Sequence, residues 1–185
     1  LSWGAFGLAV VLSVVVPLWA YTQLPDQVAT HFGGSGDPDG WMSRGANLGF
    51  SLAMSLLLVG LMPVIAWATT LGDLTFVNFP TKAQKEYWTR PENRAAFRAK
   101  FVESMAAFGA MLALFLVAME IEMVAANHRE PPHMGVSMWV ALGVFLAGTG
   151  WWIVDLFRIL RIPPGAAQAT QEPTGPDRPG HRIRG

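Results

Sequence analysis

The residues best placed to do chemistry are His31, Asp37 and Asp39, within nine positions of one another in a glycine-rich segment between two apolar runs. An imidazole with two carboxylates can hold a divalent metal or relay a proton. Glu120, His128 and His133 lie further along the chain and could complete such a set. The same segment also fits a folded cap, in which the aspartates make turns and the histidine satisfies a backbone group. No spacing here is diagnostic of a metal set, so neither a metal nor a cofactor is expected and the chain does not read as an enzyme. Asp37-Pro38-Asp39-Gly40 predicts a tight turn, with proline at its second position and glycine at its fourth. The glycines Gly33, Gly34 and Gly36 do not form a phosphate loop, because no Lys followed by Ser or Thr comes after them.

The elements that must position these groups are membrane helices. Of the 185 residues 52% are hydrophobic and 14% charged, against roughly 25% charged in soluble domains. The charges cluster between long uncharged runs, each near the length of about 20 residues that a bilayer core requires. Spans are predicted over 3–21, 46–71, 104–127 and 135–160, an all-α integral membrane domain covering 1–160. Pro63 should kink the second. The first reads as a retained helix and not a cleaved signal, because it lacks a basic leading region. Net charge is zero and Cys is absent, which leaves nucleic-acid binding without bulk electrostatic support and excludes disulfides and thiolate sites.

Of the 13 Lys and Arg residues, all but Arg44 and Arg129 fall between spans two and three or in and after the last turn of span four. The positive-inside rule then puts both termini and the middle loop in the cytoplasm. Within that loop Thr89 and Glu92 fit a capping box and Pro91 a first helical turn. An amphipathic cytoplasmic helix is therefore predicted to start near Arg90 and lead into span three. Phe97, Phe101, Met105 and Phe108 share one side of it and Arg94 and Arg98 another, suited to anionic headgroups or a soluble partner.

Small residues mark possible docking faces: Ala106, Gly109, Ala110 and Ala113 on span three, Gly143, Ala147, Gly148 and Gly150 on span four. They predict close packing against each other or against other membrane subunits. Glu120 and Glu122 should lie near the outer interface and point apart, and Asp155 should pair with Arg158. From Pro163 the chain turns rich in Pro, Gly, Ala, Gln and Thr, and the tail 161–185 is expected to lack order unless a partner holds it.

The first loop also resembles a known family. Leu24-Pro25, His31-Phe32, then Gly36, Pro38-Asp39-Gly40-Trp41 and the basic Arg44 match a widespread bacterial family of uncharacterised membrane proteins. The same domain forms the N-terminal part of SdpI-type immunity proteins. The resemblance extends over residues 10–105 and implies a multi-pass protein of the bacterial inner membrane. It does not extend to the further membrane domain that SdpI-type proteins carry. Three functions follow from these observations, in order of preference: an accessory subunit of a membrane complex, an SdpI-like receptor that binds an extracellular peptide, and last a metal-dependent membrane enzyme using His31, Asp37 and Asp39.

Overall fold

A computed structural model describes residues 3–165; the predicted tail therefore lies mostly outside the described residues. Four helices are long and apolar enough to cross a membrane: Trp3–Gln23, Arg44–Thr69, Pro91–Asn127 and Val136–Ile159. Named in chain order, they are α1 (Trp3–Gln23), α2 (Arg44–Met54) continued through a π turn (Ser55–Gly60) into α3 (Leu61–Thr69), α5 (Pro91–Asn127) and α6 (Val136–Ile159). A short α4 (Lys82–Trp88) precedes α5. Each of these helices overlaps one predicted run, and the third starts at Pro91, close to the expected start near Arg90, and continues unbroken for 37 residues. At 1.5 Å per residue such a helix is about 55 Å long, well beyond a bilayer core of about 30 Å.

The fold is not all-helical. Between α1 and α2 an antiparallel hairpin pairs β1 (Gln27–Phe32) with β2 (Pro38–Ser43). The turn predicted at Asp37–Gly40 lies instead at Gly33–Asp37, closed by Gly33 N–H donating to the Asp37 carbonyl at 2.8 Å. Pro38 opens β2, a position that needs no ladder donor. Gly36 supplies the positive φ of 93° that the turn requires.

Two prolines explain how the spans lock together. Pro17 in α1 has no N–H for the Ser13 carbonyl four residues before it. That carbonyl accepts instead from Ser55 Oγ, across on the π turn, at 2.9 Å. Pro63 likewise offers nothing to Val59, and the helix widens into the π turn just before it. The expected kink is thus a local change of helix type. Serine hydroxyls commonly satisfy backbone groups freed this way inside membranes.

The centre of the bundle is α5. Its small-residue face is filled from within the chain, and this corrects its reading as a partner surface. Ala106, Gly109, Ala110 and Ala113 are all buried. A Cβ at Gly109 would meet Phe6 at 3.2 Å and the Val59 carbonyl at 3.4 Å, so glycine there permits close approach of α1 and the π turn. On its other side α5 meets α6 through Phe108 against Trp152, Phe115 stacked on Phe145, and Met111 against Gly148. Trp152 Nε1 donates to the Ser104 carbonyl at 2.9 Å.

At the end of the bundle away from the hairpin, Leu74, Trp88, Phe97 and Leu160 form a buried cluster. The aromatic side of early α5, expected to rest on headgroups, is thus covered at Phe97 by its own chain. Arg94 and Arg98 are engaged too: Arg94 Nε donates to the Thr89 carbonyl at 2.7 Å, and Arg98 Nη2 donates to the Thr70 carbonyl at 2.8 Å. Arg98 so caps the carboxyl end of α3, where orphan carbonyls favour a cation. The capping box belongs to Thr81 and Gln84 at the start of α4. Thr89 ends α4 instead, its hydroxyl donating to the Lys85 carbonyl at 2.7 Å. Arg158 lies over the Trp151 ring and, among the described residues, makes no ion pair with Asp155.

Candidate functional site

The hairpin is fastened to the end of α5 by one side chain. Asn127 Oδ1 accepts from Ala29 N–H at 2.8 Å, and its Nδ2 donates to the Ala29 carbonyl at 3.0 Å. An amide side chain thus extends the β-ladder by pairing with both backbone groups of a buried residue. Replacing Asn127 with alanine leaves that buried donor and acceptor unpaired, at about 1–3 kcal/mol each. The expected result is early protease cleavage within residues 26–43, with the helices still protected; cleavage at the native rate would refute the clamp.

The hairpin's other supports use the motif residues. Leu24 packs with Ala20, Val28 and Val124. Arg44 donates to the Leu24 carbonyl at 3.3 Å and to Asp26 at 2.9 Å, and lies over the Tyr21 ring. Two glycines are sterically required. A Cβ on Gly36 would fall 2.6 Å from the His133 ring, and one on Gly40 would fall 2.8 Å from the His31 Cβ. Gly36 also receives the α5–α6 turn, its carbonyl accepting from Met134 N–H at 2.8 Å. Phe32 pairs with Pro38 where the ladder is irregular, and Pro25 is exposed.

The three chemical candidates of this loop separate. His31 Nδ1 contacts Asp39, while Asp37 accepts from Ser35 Oγ at 2.8 Å and faces His133 at 3.6 Å. Among the described residues no three His, Asp or Glu side chains gather as a metal set. The groups are solvent-exposed. Trp41 is 52% exposed on β2.

The two glutamates of α5 do point apart. Glu122 reaches the α5–α6 turn, where Arg129 Nη1 donates to it at 3.1 Å, Gly135 N–H at 2.8 Å, and Ser137 Oγ as well. It acts as the anion at the amino end of α6. Glu120 turns inward instead of lying at the interface, and is only 6% exposed. Its carboxylate accepts from Ser51 Oγ and faces the Asn47 amide, both on α2. Its Oε2 has no hydrogen-bond partner, and the group lines a cavity of about 60 Å³ between α1, α2 and α5. Asn47, Ser51 and Ser55 were not singled out in the sequence. Their four-residue spacing in an otherwise apolar run was the available signal.

The family described as Domain of unknown function (DUF1648) matches residues 8–55, which hold most of α1, the hairpin and the α2 face that meets Glu120. An uncharacterized protein of Archaeoglobus fulgidus is 28% identical over 117 residues, covering 61% of this chain. The chain spans 63% of that relative's length. No solved structure matches. The chain is a multi-pass membrane protein with a lipid-facing surface, similar over residues 8–55 to a family of undefined function.

Proposed function

We propose that the chain is a non-catalytic subunit of a larger membrane assembly, docking through the outward face of α6. The observation that carries this is the placement of Gly143, Ala147 and Gly150. They lie at intervals of four and three residues, on the side opposite the contacts of Phe145, Gly148 and Trp152 with α5. Gly143 and Gly150 would meet nothing within 4 Å of an added Cβ, and no α6 residue is buried by the rest of the chain. Glycine in a helix loses backbone entropy without gaining side-chain contacts. A face meant only for lipid gains nothing from it, whereas a second helix can approach closely along such a groove. The distribution of basic residues supports cytoplasmic termini in a bacterial inner membrane, with the hairpin outside.

The test is purification in mild detergent followed by mass spectrometry of co-purifying membrane proteins at stoichiometric level. The double substitution Gly143→Leu and Ala147→Leu is expected to cut recovery of the partner about tenfold, equivalent to about 1.4 kcal/mol. The thermal midpoint of the chain itself should not move. Recovery of the native chain alone would overturn the reading.

A second reading, the SdpI-like receptor, has its own support in the hairpin. A two-stranded sheet leaves strand edges able to pair with an extended peptide, and exposed Trp41 supplies an apolar anchor. In that case Trp41→Ala abolishes binding or resistance to the peptide while any membrane complex persists.

A further inference from the structure

Inside the bundle, polar groups converge where lipid-buried helices ordinarily carry none. From α2 come Asn47 and Ser51, and from the π turn Ser55; α1 brings the Ser13 carbonyl that Pro17 leaves without a helical donor. From α5 comes Glu120, with Oε1 accepting from Ser51 and Oε2 unpartnered and buried. An ionised carboxylate in so apolar a place is costly unless a positive charge accompanies it. The described residues near it supply none. α1 contains no Asp, Glu, Lys or Arg, Arg44 at the start of α2 is engaged by Asp26, and the Arg129 charge belongs to Glu122. Among the described residues Glu120 makes no ion pair.

We propose that Glu120 anchors a binding site for a small monovalent cation of the sodium type, completed by Ser51, Ser55 and the Ser13 carbonyl, which line the same cavity. One carboxylate balances one positive charge, whereas a divalent ion would leave a net charge buried in lipid. The donors are oxygens, which suit hard cations, and the nearby Met54, Met119 and Met123 thioethers are too soft to compete. A cavity of about 60 Å³ has room for an ion with a water or two, since about 10–15 Å³ of such space admits one water. A cation held there ties α1, α2 and α5 together beside the π turn.

Two readouts on the full chain in detergent test this, at fixed pH and ionic strength, with sodium chloride replacing choline chloride. One is the thermal midpoint. The other is labelling of Glu120 by dicyclohexylcarbodiimide, located by peptide mass spectrometry. In that reaction the carboxyl O–H adds across a C=N bond of the carbodiimide, and the O-acylisourea rearranges to a stable N-acylurea. Sodium is expected to raise the midpoint and, at ten times its dissociation constant, to slow labelling by about tenfold. Glu120→Gln should abolish the midpoint shift. Should that variant fail to fold, Ser51→Ala, which keeps the carboxylate, should still move both responses to higher sodium concentration. Identical labelling rates and midpoints in sodium and choline would overturn the proposal. So would a response to pH alone, which would make a proton the occupant.

Discussion

Trp88→Ala is expected to lower stability by about 3–5 kcal/mol, the range for removing a buried tryptophan. Trp88 is 1% exposed, its ring meeting Phe97 at 5.5 Å and Tyr87 at 4.8 Å. Its Nε1 donates to the Leu160 carbonyl at 2.9 Å, 72 residues away. That carbonyl ends α6, where no helical donor follows. The one ring therefore fills the core at this end of the bundle and fastens the fourth span to the segment preceding the third. Trp88→Phe keeps most of the volume and loses the N–H, so the carbonyl bond alone should account for about 1 kcal/mol of its effect. Unfolding by a denaturing detergent, followed through the remaining tryptophans, reads both. A Trp88→Ala chain as stable as the native one would contradict this packing.

Glu122→Ala should be of similar size, at about 3 kcal/mol, for a different reason. Three donors converge on this carboxylate: Arg129, Gly135 N–H and Ser137. Hydrogen bonds to a charged group are each worth more than neutral ones. Losing the acceptor takes one partner from Arg129, which keeps the His133 carbonyl, and leaves the first turn of α6 without its anion. Some of the loss is recovered because Arg129 keeps 38% of its side-chain surface in solvent. Glu122→Gln retains an acceptor oxygen and should recover about half. The measurement is amide hydrogen exchange at Trp139–Gly143, the first amides of α6 with helical acceptors, which should accelerate strongly in Glu122→Ala; unchanged protection would show that Glu122 does not hold this turn.

What could be read in the sequence follows the range over which each signal acts. The four spans were legible because lipid imposes a local rule, about 20 uncharged residues in a row. The separate directions of Glu120 and Glu122 followed from helical spacing alone. The hairpin was not legible. Asp37-Pro38-Asp39-Gly40 is a good turn in isolation, but Gly36 and Gly40 are fixed by His133 and His31, contacts that no local pattern encodes. The clamp on Ala29 comes from a residue 98 positions away. Small-residue spacing showed which helix faces permit close approach, not what approaches them. On α5 the occupant is the chain's own α1 and π turn, while on α6 the face is turned outward. Arg94 and Arg98 misled in the same way, since their targets are carbonyls at the end of α3 and α4.

The most direct test of the subunit reading is a photo-crosslinking amino acid placed at Ala147 in the native membrane, with one at Phe50 as a lipid-facing control on α2. The prediction is one discrete heavier product from position 147, containing a second membrane protein, and none from position 50. Lipid adducts alone at position 147 would contradict the docking role of α6 and leave the hairpin as the working surface.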